Sequence, residues 1–258
     1  MNSGFWNVPI AEESKHLTAF ITPFGLFEFN VIPFGIKNSP AEFQRAMDMV
    51  FDEVLDDRTL CYIDDIIIAT EMMQRLEKVL RLCRERGFYL RLDKSEWLKP
   101  KVKYLGHKIG RQGIACQERK IGNVLNAPAP TSRKELQSFL GAVGYLRPYI
   151  PRFAEYTAPL FELLKKGRLF VWSDGRGEAF MKLKQAVAGA SLLHKPVPGA
   201  PLIIETDASE VGIGAVLKQV QEGREVPLEF TSKKFTDAER KWDTRERALR
   251  RQAGCREV

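Results

Sequence analysis

Two short apolar runs, residues 60–63 and 66–69, are separated only by Asp64 and Asp65, and no other feature restricts the fold as sharply. Runs of four residues rich in β-branched side chains read as strands, and a two-residue break leaves room only for a tight strand-turn-strand unit. On a straight strand the two carboxylates would point to opposite faces. At a hairpin turn they can converge on one side, which is the arrangement a divalent cation needs. Carboxylates between apolar strands are also costly unless paired or bound to metal. Taken alone, an Asp-Asp pair is more often an ordinary turn or a helix cap.

Around this unit the pattern alternates between short strands and amphipathic helices. Residues 17–22 and 26–32 flank Pro23-Phe24-Gly25 with β-branched and aromatic side chains, which predicts a hairpin with a short connection. A helix should follow. Ser39 is a candidate N-cap, Pro40 sits where its missing N–H costs nothing, and Phe43, Met47, Val50, Phe51 and Val54 recur at helical spacing as a core stripe. Leu76, Val79, Leu80 and Cys83 mark another helix, ended by Gly87. Residues 102–109 read as one strand leading to a turn at 110–113, and Ala127-Pro128-Ala129-Pro130 is the best linker candidate. Beyond it, Thr131 and Ser132 can cap a helix with Leu136, Phe139, Leu140 and Val143 on one face. Two more helical stretches are expected at 153–165 and 175–189, then strands at 202–206, 213–220 and 226–231, with a second domain beginning near Pro201.

Charge is distributed unevenly. Residues 1–70 hold 4 basic and 11 acidic residues, residues 71–168 hold 21 and 9, and residues 169–258 hold 15 and 13. Carboxylates beside a cationic stretch suit a protein that holds divalent metal in one place and a phosphate backbone in the next, although a solvated charged surface would give the same totals. Cys61, Cys83, Cys116 and Cys255 are far apart, form no C-x-x-C pair and have no histidines at ligand spacing, which reads as a reducing compartment without a zinc site. The chain has no apolar run of membrane-spanning length, and its polar start lacks the regions of a signal peptide. An intracellular protein of the cytoplasm or nucleus is expected, neither secreted nor membrane-bound.

Tyr62-Ile63-Asp64-Asp65-Ile66 closely resembles the Y-x-D-D signature of reverse transcriptases, and further motifs arrive in the order found in the gypsy-type LTR retrotransposon family. Phe24-Gly25-Leu26-Phe27-Glu28-Phe29, the stretch Ile32-Pro33-Phe34-Gly35-Ile36-Lys37-Asn38-Ser39-Pro40-Ala41, and Phe43-Gln44 look like the floor of that family's nucleotide site. Gly87-Phe88 with Leu92-Asp93-Lys94, and Tyr104-Leu105-Gly106-His107, resemble its late palm segment and primer-grip hairpin. Phe139-Leu140-Gly141 and Tyr145-Leu146-Arg147 are similar to its thumb and connection. Glu205-Thr206-Asp207-Ala208-Ser209, followed by Gly212-Ile213-Gly214-Ala215-Val216-Leu217, looks like the first hairpin of the attached ribonuclease H domain.

The resemblance implies an α+β fold: a polymerase palm with an antiparallel sheet on helices over 1–115, a helical thumb and connection over 116–198, and a partial ribonuclease H-like sheet over 199–258. It implies RNA-directed DNA synthesis on an RNA or DNA template-primer from deoxynucleoside triphosphates, with Mg²⁺ or Mn²⁺ stabilising the attacking and leaving oxygens. By the same resemblance Asp64 and Asp65 are catalytic metal ligands, Phe5 is the aromatic residue that blocks a ribose 2′-hydroxyl, and Phe34 and Gly35 lie under the incoming nucleotide. Lys94 falls near the triphosphate in that scheme, where it would neutralise charge or donate a proton; alone it reads equally as a surface lysine. Asp207, which in isolation would more often mark a turn, becomes a former ribonuclease H metal ligand.

The sequence departs from the family in three places. Met1-Asn2-Ser3-Gly4-Phe5 resembles Asp-x-x-Ser-Gly-aromatic without its aspartate, so the third palm carboxylate and the fingers are expected to be missing, and this chain alone is expected not to polymerise DNA. The segment after Gln74 follows the Asp-Asp turn sooner than the family pattern leads one to expect, which puts helix packing there in question. Lys234-Phe235-Thr236, Glu239-Arg240 and Trp242-Asp243-Thr244-Arg245-Glu246-Arg247 resemble the next ribonuclease H helix, but its glutamate position is Ala248 and Glu246 lies on a different face. Hybrid cleavage is not expected, and an unfinished sheet predicts poor order beyond about residue 200. The competing reading is a degenerate, non-catalytic retroelement remnant that binds nucleic acid through its basic middle segment.

Overall fold

The computed structural model describes Met1 and residues 4–69, 72–236 and 238–239, and the chain divides into two compact units, Met1–Leu98 and Lys99–Val258. In the first unit Thr22 closes a hairpin, its hydroxyl accepting from the Phe24 N–H at 3.2 Å and donating to the Gly25 carbonyl at 3.1 Å. Phe20–Thr22 (β1) and Gly25–Phe27 (β2) pair antiparallel with Thr22 opposite Gly25. The strands are shorter than expected, because Glu12–Thr18 winds as a 3-10 segment. Thr18 fixes that winding: its hydroxyl donates to the Lys15 carbonyl and accepts from the Phe29 N–H, a local bond that competes with sheet pairing.

Helix α1 spans Ser39–Phe51 and carries proline in its first turn. Ser39 is not its N-cap. Asn38 takes that position, and the Ser39 hydroxyl donates instead to the Pro33 carbonyl at 3.1 Å, closing the loop that carries Phe34 and Gly35. The expected stripe is core, with Phe43, Met47, Phe51 and Val54 buried and Val50 packed beside them. Each such side chain contributes about 1.5–3 kcal/mol by leaving water.

Thr59–Tyr62 (β3) and Asp65–Ile68 (β4) form the expected tight hairpin, with Tyr62 opposite Asp65. The register shifts the turn by one residue from the sequence reading. Ile63 and Asp64 occupy it, and Asp65 already begins β4. Helix α2, Met72–Glu85, packs against α1 and β4 through buried Val79, Leu82 and Cys83, while Leu80 faces out. The early arrival of this segment therefore does not prevent packing. Gly87, at φ +73°, ends the helix in a Schellman arrangement: the Phe88 N–H donates to the Cys83 carbonyl and the Gly87 N–H to the Arg84 carbonyl.

In the second unit the stretch expected as one strand is a hairpin. Lys101–Tyr104 (β5) and His107–Gly110 (β6) turn at Leu105 and Gly106, both with positive φ, and Gly113–Cys116 (β7) extends the sheet. A glycine inside an apolar run was the signal for that turn. Helix α3, Glu118–Leu125, has no clear sequence signal, being eight residues long with Gly122 at its centre. Helix α4, Arg133–Gly144, starts as expected at Ser132, whose side chain accepts from the Glu135 N–H while Glu135 reaches back to Thr131. Helices α5, Phe153–Phe161, and α6, Asp174–Ala188, complete the helical layer around buried Leu136, Val143, Leu160, Leu163 and Leu183.

The chain then returns to the first sheet of this unit, as Leu193–His194 (β8) pairs with β7. Leu202–Ala208 (β9), Gly212–Gln221 (β10) and Arg224–Lys234 (β11) form a three-stranded antiparallel sheet in the order β11-β10-β9. These are the three expected strands, each longer than its apolar run. The sheet is tied to the helices: the Ala154 N–H donates to Ser232 Oγ at 3.1 Å, Arg147 donates to the Ser232 carbonyl, and Lys234 pairs with Glu162 at 2.7 Å. No helix of the described residues is long and apolar enough to cross a membrane.

Candidate active site

Among the described residues of the first unit, two that are not glycine have left-handed φ, Ile63 in the Asp-Asp turn and Leu98. Ile63 has φ +50°, at the first central position of a two-residue hairpin, where glycine is usual. For a β-branched residue this conformation costs on the order of 1–3 kcal/mol and persists only where its surroundings impose it. The surroundings here are specific. Gln44 of α1 accepts the Ile63 N–H on Oε1 at 2.7 Å and donates from Nε2 to the Cys61 carbonyl at 3.1 Å and to Asp48 at 2.8 Å. The Cys61 thiol lies 3.7 Å from the Ile63 carbonyl as a donor, and burial, reinforced by the Asp48 charge, pushes its pKa up to about 12.

Asp64 turns its carboxylate inward. Its Oδ1 is buried without a hydrogen-bond partner among the described residues, and its carbonyl accepts from the Met1 ammonium at 2.7 Å. Gly4 lies directly against that carboxylate, because a Cβ there would stand 2.3 Å from Asp64 Oδ1 and 2.7 Å from Phe43 Cζ. A buried, unpartnered carboxylate oxygen is expensive, and a hard cation is the chemistry that satisfies it. Asp65 is exposed at the start of β4. Among the described residues no group of three or more His, Cys, Asp or Glu side chains comes together.

An aromatic floor adjoins the turn. Pairing of Pro9 with Val31, flanked by hydrogen bonds from Ile10 to Asn30 and from Ile32 to Val8, brings the 3-10 turn Gly4–Asn7 beside the loop after Pro33. Phe5 then packs on Phe43 at 4.8 Å and meets Phe34 edge-on at 5.4 Å between ring centroids, and Trp6 also meets Phe34 edge-on at 5.8 Å. Phe34 remains 63% exposed, a large apolar ring held open to solvent. Gly35 follows at φ +87° with open space where a side chain would be.

The structure thus brings Phe5, Phe34, Gly35 and Asp64 into one neighbourhood through Gly4 and Phe43. Lys94 is exposed on the short 3-10 turn Leu92–Lys94 and makes no hydrogen bond or ion pair to Asp64 or Asp65 among the described residues. Gln44 was within a recognised motif, yet only its two-ended bond across the turn shows what it does there.

In the second unit, Asp207 near the end of β9 stands opposite Gly214 and pairs with Arg152 at 2.6 Å. The residue resembling the partner position, Ala248, lies outside the described residues, as do Asn2, Ser3, Glu246 and Cys255. Near the end of the described residues, the Thr236 N–H donates to the Glu239 carboxylate and the Glu239 N–H to the Thr236 hydroxyl. His107, after the Leu105-Gly106 turn, is held between two phenols: Nδ1 lies 2.5 Å from Tyr149 Oη and Nε2 lies 2.7 Å from Tyr145 Oη. Because Tyr145 donates to the Leu105 carbonyl, it accepts from His107 Nε2–H, leaving Nδ1 to accept from Tyr149. Burial lowers the His107 pKa below its ordinary value, in keeping with a neutral ring.

The chain is similar to known proteins over nearly its whole length. Residues 1–109 match the family model described as reverse transcriptase (RNA-dependent DNA polymerase), and residues 172–251 match that of an RNase H-like domain found in reverse transcriptase. The chain is 33% identical over 251 residues to the retrovirus-related Pol polyprotein from transposon 412 of Drosophila melanogaster, covering 96% of this chain and 20% of that one. It is 35% identical to the corresponding polyprotein from transposon 297 of the same species, covering 95% and 23%. With the transposon Tf2-3 polyprotein of Schizosaccharomyces pombe it shares 32% identity, covering 93% and 18%. The chain spans about a fifth of the length of these curated relatives. Among solved structures, a foamy viral protease-reverse transcriptase in complex with dsDNA aligns with TM-score 0.84 and 27% identity over 99% of this chain and 54% of that one. The same enzyme in complex with RNA/DNA hybrid aligns at 0.82 and 27% over 99% and 35%.

Proposed function

The chain belongs to the reverse transcriptase region of gypsy-type retrotransposon Pol polyproteins, with an RNase H-like segment behind it, and we propose that it serves there as palm, thumb and connection of an RNA-directed DNA polymerase. The observation that carries this reading is the buried, unpartnered Asp64 oxygen on a strained turn beside an exposed aromatic floor. Asp64 and Asp65 are the residues that would hold Mg²⁺ or Mn²⁺. When bound, that ion stabilises the attacking and leaving oxygens of nucleotidyl transfer. Phe34 and Gly35 offer an open surface under a nucleotide base and sugar, and Phe5, backed by Phe43, is the wall that excludes a ribose 2′-hydroxyl. Lys94 neutralises triphosphate charge. The basic residues of 71–168 follow a nucleic acid backbone, RNA or DNA, and deoxynucleoside triphosphates are the second substrate. The division into palm over 1–115, thumb and connection over 116–198, and RNase H-like segment from 199 belongs to this proposal, as does an intracellular site of action.

For the last segment a non-cleaving role is favoured, because Asp207 is engaged by Arg152. The test is primer extension on an RNA template with Mg²⁺ or Mn²⁺, comparing this chain with one extended upstream to the aspartate that the resemblance places just ahead of Met1. Extension by the longer chain, abolished by Asp64→Asn or Asp65→Asn, is expected. No extension by either chain would instead favour a remnant that binds nucleic acid without chemistry.

A further inference from the structure

Gln44 meets the Asp-Asp turn with both ends of one planar amide. It gives the Ile63 N–H an acceptor and ties the Cys61 carbonyl and Asp48 with its donors. Ile63 is the residue whose φ is left-handed, and Asp64, the residue after it, is the one whose carboxylate turns in against Gly4. The peptide joining the two therefore sets the direction of that carboxylate. Left to itself, a β-branched residue relaxes to negative φ. Such a relaxation rotates the 63–64 peptide and carries Asp64 away from Gly4.

We propose that Gln44 is a positioning residue: its amide holds Ile63 left-handed and thereby aims the Asp64 carboxylate into the metal-binding side of the turn. The inference rests on the palm reading above. A glutamine is required because the turn presents a donor at Ile63 and an acceptor at Cys61 to one side chain. A glutamate would turn negative charge toward the Cys61 carbonyl and the Asp48 carboxylate, and an aliphatic residue would serve neither. The Cys61 thiol completes the hold as a donor to the Ile63 carbonyl, so that both backbone groups of the strained residue are engaged.

The test uses the full 258-residue chain and Mn²⁺ alone, followed by paramagnetic broadening of the backbone amides of residues 64 and 65. Gln44→Ala is expected to weaken the Mn²⁺ response roughly tenfold. Adding Ile63→Gly, which removes the strain that Gln44 opposes, is expected to restore it to within about twofold. A merely structural bond between helix and hairpin would give no such rescue. An unchanged response in Gln44→Ala, or no recovery with Ile63→Gly, overturns the proposal. If Mn²⁺ leaves these amides sharp in the unsubstituted chain, the palm reading fails, and relaxation dispersion at residues 63–66 decides the positioning role. Dispersion in Gln44→Ala that is quenched by Ile63→Gly supports it, and its absence overturns it. Gln44→Met, which keeps the volume and removes both hydrogen-bonding ends, is substituted under the same criteria if the alanine variant does not fold.

Discussion

Replacing Gly4 with alanine tests the site with a single carbon. Gly4 sits in a 3-10 turn without a left-handed φ, so the backbone tolerates alanine and the effect is steric. The new Cβ would stand 2.3 Å from Asp64 Oδ1 and 2.7 Å from Phe43 Cζ, both inside the 3.0 Å that real Cβ contacts respect. Phe43 is fully buried and has nowhere to go. Relief therefore falls on the Asp64 carboxylate, which must withdraw by about 0.7 Å or more. Overpacking of this kind costs about 1–3 kcal/mol. For a unit of about 100 residues that lowers the midpoint of thermal unfolding by at least ~4 °C. If Asp64 has the role proposed for it, a displacement near 1 Å costs about 100-fold in rate. Thermal melting of Gly4→Ala, Asp64 side-chain carbon shifts, and primer extension in the upstream-extended chain read the three effects. Gly87→Ala is the control: it strains the end of α2 at φ +73° with nothing within 4 Å, and should lower stability without moving Asp64. Unchanged melting together with an unchanged Asp64 carbon shift in Gly4→Ala would refute the reasoning.

Three further predictions concern protonation. Lys234, and then Lys165, hold the Glu162 pKa down to about 2 from its ordinary 4.5, so this pairing stabilises the second unit above pH 4.5 and is lost as pH falls through that range. Lys234→Ala should remove about 1–2 kcal/mol at pH 7 and much less near pH 2, as read by chemical denaturation, allowing for solvent screening. His107 has a folded pKa below its ordinary 6.5 because it is buried; the unfolded chain takes the proton first, so stability is full above pH 6.5 and declines below it. Replacing His107 with phenylalanine should flatten that part of the pH profile, and a slope unchanged by the substitution would assign it to other groups. Burial raises the pKa of Cys61, Cys83 and Cys116, so all three should resist iodoacetamide at pH 8 in the folded chain and react in urea, by peptide mass mapping.

Much of this was legible in the sequence because it depends on neighbours along the chain. Two apolar runs broken only by Asp64-Asp65 fixed a hairpin, helical spacing placed Phe43, Met47 and Phe51 in a core, and Thr131 and Ser132 marked a helix start. Each is set by backbone period or by a bond reaching three or four residues. Where several backbone partners compete, sequence reading failed. Ser39 had a choice between capping α1 and closing the loop at Pro33, and only the folded loop made the second available. Leu105-Gly106 lay inside a run apolar enough to read as one strand, and pairing of His107 with Tyr104 turned it into a hairpin.

For the site the same division holds. The sequence by itself determined which residues are candidates for chemistry, two adjacent aspartates between apolar runs and, through the family resemblance, an aromatic floor, because both rest on residue type and order. Only the tertiary structure decided that Ile63, rather than Asp65, shares the turn with Asp64, that Gly4 abuts the Asp64 carboxylate, that Gln44 grips the turn, and that Arg152 engages Asp207. The last three of these contacts join residues 19 to 60 positions apart. Their free energy exists only once loop closure has been accomplished, and the spacing of residues along the chain carries no record of it.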